Sequence, residues 1–553
     1  MKKLNRIFVL SLIMLFPFMA FAQLDKDVVV IKAYTPTIRD AEKLNVMPSV
    51  KDTLHLKPEF TYRIVPTLYK TGFEIDPIKP AKIVGEPLTR LYGNYVKLGF
   101  GSDISPLAEI RINSLRSRKS SFGIKAGHHS SYGGFKIDDY KYYPNFSENY
   151  IGLYGTSFKK NKSLSGKLDY SGNKFKYYGF TPGSPEVARK DLPDQMYNKL
   201  GASVRLKSDK ISKTKIHYDF DLGFYYFADT EKSNENSFSL KADFRDYVKN
   251  SLVGFDTRFS YFKRNSISDS LTHYLFMINP WVQRQEEEWQ ATLGVNTFLL
   301  VNPDENNKTY FYPNIKFQFA LADKFLLTYF GFTGKLENNY FVDVATANPF
   351  VWAGFETKPT QHRKIIYAGF KANISSKLSF DIKATYREMK DAMLFVDTIG
   401  FEGIRFTTVY DDMDMLNLNA ELVFAPNEKF DFRLKGNYYN YFTIQTQQQA
   451  WYKPDFDFTL AATYNMQGKF LFNADIFIIG NRFARGNLDP ITGKYAEIEL
   501  ENIIDLNLGV EYRYTKKISA FVNINNLIAS KYYKWNNYPS QRFHALVGVS
   551  YAF

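Results

Sequence analysis

The chain has 553 residues, a formal net charge of +14, no Cys, and 17% aromatic residues, among them 40 Tyr and 50 Phe. Without Cys there is no disulfide framework and no thiolate chemistry. Lys and Arg are spread over turns and alternate positions rather than gathered in one patch, which argues against nucleic acid as a partner.

Residues 1–22 read as a secretory signal peptide: a cationic head (Lys2, Lys3, Arg6), an apolar run, and the small-x-small site Ala20-Phe21-Ala22. The mature chain is expected to start at Gln23, and the lack of Cys excludes a lipoprotein anchor. Residues 23–91 carry Pro36, Pro48, Pro58, Pro66, Pro77, Pro80 and Pro87 with little alternation, the pattern of an extended N-terminal segment rather than a packed domain. Near its start, Asp27-Val28-Val29-Val30-Ile31 is a β-branched run that can add to the edge of a partner's sheet.

From Tyr92 the period changes to two. Phe430, Phe432, Leu434, Gly436 and Tyr438 alternate with Asp431, Arg433, Lys435 and Asn437, while Leu378, Phe380, Ile382, Ala384 and Tyr386 alternate with Ser379, Asp381, Lys383, Thr385 and Arg387. One set of connections is tight (375–377, 426–428, 466–468, 515–517) and the other long (336–360, 389–414, 480–499, 526–541). Short periplasmic turns alternating with long extracellular loops mark a membrane barrel, and the aromatic residues suit two interfacial girdles. With periplasmic turns near 117, 161, 210, 249, 286, 322, 375, 427, 467 and 516, residues 92–553 are expected to form an all-β, transmembrane antiparallel β-barrel of about 22 strands. Residues 405–410 do not fit the alternation of turns and are assigned to a hairpin inside an extracellular loop. A barrel this wide needs an obstruction, as known barrels of this size are plugged transporters.

The chain ends on an alternating strand. Phe543, Ala545, Val547, Val549, Tyr551 and Phe553 form one face, with His544, Leu546, Gly548, Ser550 and Ala552 on the other. Arg542, Phe543, Tyr551 and Phe553 are the expected closure and targeting signal, offered to the first strand and to the barrel assembly machinery. This end, through Phe521, Asn523, Asn526, Leu527, Tyr532, Arg542, Tyr551 and Phe553, resembles the close of TonB-dependent outer-membrane receptors. Asp27 to Ile31 look like the TonB box of the same family. The resemblance implies outer-membrane residence, transport of a solute and coupling to TonB or another periplasmic protein. It departs from the family in the plug, because only residues 23–91 stand where those receptors fold a much longer domain.

Candidate chemistry is sparse. His128 and His129 are neighbours on a strand and point to opposite faces, so they do not chelate one metal together. Asp411-Asp412-Met413-Asp414 could bind Ca²⁺ from an extracellular loop, but lacks EF-hand spacing and reads first as a solvated acidic loop. Gln285-Glu286-Glu287-Glu288 is a soluble periplasmic turn. No Gly-x-Ser-x-Gly elbow, P-loop or His-Glu-x-x-His occurs, and no cofactor, metal site or enzyme activity is expected. Asp381, Lys383, Arg387, Glu421, Asp431, Arg433, Lys435, Asp457 and Asp475 are expected to face the lumen, as a wetted wall or as docking sites for residues 51–90 or a solute. Three roles follow: a transporter, a barrel subunit recruiting a periplasmic partner through residues 23–91, and a passive porin.

Overall fold

The computed structural model describes residues 92–553 apart from 116, 138, 181–192, 209–215, 269, 304–305, 322–324 and 399–404. The signal peptide and the segment 23–91, with its TonB-box-like run, lie outside the described residues.

The chain runs through β1 (Asn94–Gly101), β2 (Ser105–Asn113), β3 (Ser120–Ser131), β4 (Phe135–Ile137), β5 (Tyr140–Tyr142), β6 (Phe146–Lys159) and β7 (Lys162–Lys176). It continues through β8 (Asp194–Ser208), β9 (His217–Ala228), β10 (Asn234–Val248), β11 (Ser251–Asn265), β12 (Ser270–Gln285), β13 (Trp289–Val301) and β14 (Lys308–Leu321). Then follow β15 (Leu326–Glu337), the short helix α1 (Phe341–Ala347), β16 (Thr360–Ser375), β17 (Leu378–Asp397), β18 (Phe406–Asn427), β19 (Phe430–Phe442), β20 (Phe456–Met466) and β21 (Phe470–Ile479). The last are β22 (Arg482–Leu488), β23 (Tyr495–Leu500), β24 (Ile503–Arg513), β25 (Ile518–Asn525), β26 (Tyr533–Trp535), β27 (Tyr538–Pro539) and β28 (His544–Ala552).

Of these, 22 make one antiparallel sheet. The hairpins β4–β5, β22–β23 and β26–β27 stand apart from it, in the loops. The sheet closes because β28 pairs with β1, from Tyr95 opposite Ala552 to Gly101 opposite Leu546. Asn94 N donates to Phe553 O at 3.1 Å and Phe553 N donates back to Asn94 O at 3.0 Å. In lipid every backbone donor and acceptor must be satisfied within the protein, so a ring without an edge is the only stable form of such a sheet.

Side-chain alternation decides which face meets lipid. On β28, Phe543 just before it and Val547, Val549, Tyr551 and Phe553 are exposed, whereas His544 and Leu546 are buried. At the periplasmic ends of β19, β20, β21, β24 and β28 rings stack outside: Phe430 on Tyr464 (centroids 4.3 Å apart), Phe470 on Tyr512 (4.8 Å), and Tyr551 on Phe553 (5.3 Å). That is one aromatic girdle at a membrane interface.

The closing seam is built round glycine. Phe521 on β25 is opposite Gly548, and Gly548 is opposite Gly99 on β1. A Cβ on Gly99 would lie 3.1 Å from the tip of the Phe521 ring, and one on Gly548 would run into the same ring and Leu98 O. Phe521, Leu107 and Leu546 form a small apolar cluster inside the seam, with Lys97 Nζ 4.4 Å from the Phe521 ring centre.

The turns near 117, 161, 249, 286, 375, 427, 467 and 516 all fall on one end, as do the end of β8, the start of β9, the end of β14, the start of β15 and both ends of the barrel chain, and the strand count is even. Two expectations are corrected. Residues 405–410 are not a separate loop hairpin: from Phe406 they belong to the barrel strand β18, paired with Met393 to Asp397 of β17. The supposed long loop 389–414 is therefore mostly sheet, because these strands continue far above the apolar band. Nor is every extracellular connection long: those between β1 and β2, β9 and β10, and β11 and β12 are short.

Two changes test the seam. Deleting Tyr551 to Phe553 removes the pairs with Tyr95 and Val96 and the Asn94 bonds, so heat-modifiable barrel should vanish from the membrane fraction. Gly548→Val should lower the folded fraction in the same gel-shift assay while Ser550→Val, on the same face of β28, has little effect.

Candidate functional site

The nine lumen candidates lie on β17 to β21, opposite the exposed apolar residues of the same strands. Ile382 and Leu418 point to lipid, and Asp381, Lys383, Arg387 and Glu421 are on the other face. Most carry partners along the wall. Asp381 accepts from Tyr329 Oη at 2.5 Å and pairs with Lys371 Nζ at 3.3 Å. Lys435 Nζ is 3.0 Å from Glu421, and Arg433 is bidentate to Asp431 at 2.8 and 3.3 Å. Asp457 accepts from Asn437 Nδ2 at 2.8 Å and Tyr439 Oη at 2.9 Å. Asp475 stands opposite Ala461 in the next strand. Such half-exposed pairs contribute about 0–1 kcal/mol each and make a polar wall rather than a reactive site.

At the other candidates the geometry is structural. His128 bonds Asn149 and Ser130, on the face opposite His129. His129 Nε2 lies 3.2 Å from Ser105 Oγ, but Ser105 is fully buried and donates to Ser130 O at 2.8 Å, so this pair is sealed in the rim. The acidic run lies in β18, not in a solvated loop. Asp411 is buried and accepts from Thr446 N and Gln447 N (3.0 and 2.7 Å), and Asp412 accepts from Asp391 N at 2.9 Å. Its carboxylates orient backbone, and no group of three or more metal-ligating side chains occurs among the described residues. At the closure, Arg542 Nε donates to Ala529 O at 3.1 Å, holding the last loop against the final strand. Asp27, Val28, Val29, Val30 and Ile31 lie outside the described residues.

What dominates the extracellular end is a cap. Residues just after β7, the connections after β15, β19, β21 and β25, and the distal ends of β17 and β18 bury Tyr177, Phe341, Val351, Phe406, Trp451, Trp535 and Tyr538 in one apolar core. Phe350 stacks on Tyr538 at 3.7 Å, Tyr452 packs on Trp535 at 4.9 Å, and Phe341 meets Phe227 edge-on at 5.0 Å. Buried charges on the rim aim these loops. Arg482 donates to Lys534 O, Tyr533 O and Glu501 O at 2.9 to 3.1 Å, and Asp397 accepts from Tyr452 Oη (2.5 Å) and Asn536 Nδ2 (2.6 Å).

The cap spans the mouth. Arg405, after β17, lies 4.9 Å from the Tyr177 ring, after β7, although ten barrel strands, β8 to β17, separate those connections along the wall. Arg405 Nη1 also pairs at 2.6 Å with Glu231, on the connection between β9 and β10. Beside it, burial pushes the Asp229 carboxyl up to about 6, against the opposing bond from Ser233 N. Burial in the cap likewise drives the Tyr538 hydroxyl well above its ordinary value.

The sequence reading assigned the rings to membrane girdles and missed this core. The signal was present in the loops: Phe341, Phe350, Trp352 and Phe355 fall in one connection, Trp451 and Tyr452 in another, and Tyr532, Tyr533, Trp535 and Tyr538 in a third. A solvated loop has no use for such density.

No known family profile matches the chain, and no curated protein is similar to it in sequence. Solved structures share its fold. The FrpB iron transporter of Neisseria meningitidis superposes with a TM-score of 0.66 at 8% identity, over 84% of this chain and 82% of that one. The ferric-catecholate import receptor Fiu of K12 E. coli, in a closed form, gives 0.63 at 9% over 84% and 82%. The pyoverdine receptor FpvA of Pseudomonas aeruginosa gives 0.61 at 12% over 85% and 79%. These are TonB-dependent receptors, and the fold of this chain is that of their closed barrel, an outer-membrane architecture.

Trp451 is fully buried at the centre of the cap. Trp451→Ala should cost the cap about 3–5 kcal/mol and leave the barrel intact. The expected readout is rapid cleavage of the extracellular loops by protease added to cells, with unchanged heat-modifiable migration.

Proposed function

We propose that this protein carries a solute across the outer membrane as a gated transporter, with residues 23–91 meeting a periplasmic partner. The observation that supports this is the pairing of a 22-strand barrel with a cap whose contacts reach across the mouth. A lumen this wide would leak if left open, and a mouth bridged from several sides suits controlled passage better than a passive pore. Iron, a ferric catecholate and pyoverdine are the cargo in the names of the similar structures, so iron and its chelates are the first solutes to try. No step of this reading calls for an enzymatic group, and the wall pairs described above act as polar lining.

The second reading is a barrel subunit that anchors a larger assembly. The apolar, tightly packed cap favours it, since a sealed roof suits a scaffold as well as a gate. Val29→Pro separates the two, because a Pro in the run Val28 to Ile31 removes a donor needed for strand addition. Under the transport reading, cells with this variant keep wild-type barrel levels and lose accumulation of labelled ferric chelate. Unchanged accumulation, with a periplasmic protein still co-purifying, would move the assignment to the scaffold.

Deleting residues 51–85 tests what else obstructs the lumen. The intact protein should be nearly silent in planar bilayers and the deletion should conduct, at least when the cap is also loosened by Trp451→Ala. Full conductance of the intact protein would make it a porin.

A further inference from the structure

Near its periplasmic end the lipid face of the barrel carries a notch. The ladder sets Phe122 of β3 opposite Gly155 of β6, Gly155 opposite Gly166 of β7, and Gly166 opposite Val204 of β8. These positions face lipid by alternation: Phe122, Leu153, Leu164, Leu168 and Val204 are exposed, while Lys167 and Asp169, on the other face of β7, pair at 2.8 Å. The two glycines leave a groove of about 410 Å³ between Phe122 and Val204, edged toward the periplasm by Ser120 and Ser157.

Packing within the protein does not call for these glycines. A Cβ on Gly166 would meet nothing within 4 Å, and one on Gly155 only Phe122 Cβ and Ser121 O at 3.6 Å; neither has a positive φ. Glycine weakens a strand interior and is kept there where a bulge, a bend or a close approach needs it. The ladders on both sides of β6 and β7 run without a register shift, which leaves close approach from the lipid side.

The rim below the notch is basic. Lys159 and Lys162 end the β6–β7 hairpin directly opposite each other, on the lipid-facing side by the same alternation, and the turn adds Lys160. Phe158 N donates to Lys119 O at 2.8 Å, which brings Arg118 and Lys119 of the neighbouring turn alongside. All five are exposed, and among the described residues no carboxylate pairs with any of them. Like charges directly opposite across a ladder are destabilising, so the pair leaves an anion to be supplied from outside. The rim differs elsewhere: the turn between β12 and β13 is Glu286-Glu287-Glu288. From Lys159 to Gly155 is about 13 Å along a strand, the reach from a lipid phosphate into the first part of its acyl chain.

We propose that this groove and rim bind one anionic phospholipid of the periplasmic leaflet. Its phosphate is held by Lys159 and Lys162 with Arg118, Lys119 and Lys160 around it, and one acyl chain lies over Gly155 and Gly166 between Phe122 and Val204. A basic cluster beside the apolar band attracts acidic headgroups, and the notch gives the chain a seat that a flush wall lacks. The site stands whether the barrel transports a solute or anchors an assembly.

The test is native mass spectrometry of the protein, delipidated in detergent and then given phosphatidylglycerol or phosphatidylethanolamine. The parent should keep one phosphatidylglycerol at activation energies that strip phosphatidylethanolamine. Lys159→Gln with Lys162→Gln should cut that retention about tenfold or more and remove the headgroup preference, while Lys516→Gln with Lys517→Gln, on another basic turn, changes little. Gly166→Leu should fill the notch and cut retention with every charge intact. Phe122→Ala, which removes the wall at an exposed position, serves if Gly166→Leu loses heat-modifiable migration. Equal retention of the two lipids by the parent, an equal loss in the Lys516 and Lys517 variant, or full retention in both notch variants overturns the site. So does a dimer of the parent that Gly166→Leu dissociates, which would make the notch a seat for a second copy of the chain.

Discussion

The ladder between β28 and β1 is the interaction on which the rest depends. Hydrocarbon supplies no hydrogen-bond partner, and each unpaired backbone group there costs several kcal/mol, so an open sheet edge is not tolerated. Pairing the last strand to the first, antiparallel, forces an even strand number and puts both ends of the barrel chain on one side. Every second connection then faces outward. At the seam Phe521 lies over Gly99 and Gly548, so a ring fills the space that two absent Cβ atoms leave.

Closure creates the next problem, a wide lumen, and the extracellular loops answer it. Their core is aromatic, and aromatic packing alone is weakly directional. Direction comes from buried charge on the rim: Arg482 on three carbonyls, Asp411 on two amides, Asp397 on a Tyr and an Asn. Each such group is costly to bury unless its partners are in place, so each one penalises any other path for the loop it holds. Asp411 and Asp412, read from the sequence first as part of a solvated acidic loop, accept from backbone amides instead.

The barrel ladder is not uniform round the wall. Where the ladder is continuous, as through β6 to β11, a strand end is stiff and its loop follows it. Where β16 carries an extra residue against both β15 and β17, and β17 one against β18, the sheet above can bend without breaking the sheet below.

The sequence by itself determined the barrel. Period-two alternation, tight turns at near-regular spacing and an aromatic final strand follow from the two solvents on either side of each strand, and they are local enough to be read residue by residue. Hence the strand number, the turn positions and the closing strand were legible. The cap was decided only by tertiary structure, because its core joins residues far apart in the chain, Tyr177 with Arg405 and Phe350 with Tyr538, and no period marks such pairs. The length of β17 and β18 was hidden for the same reason. Above the membrane their alternation is between the cap core and water rather than lipid and lumen, so Asp411 reads as a solvated acid until Thr446 and Gln447 are seen to donate to it.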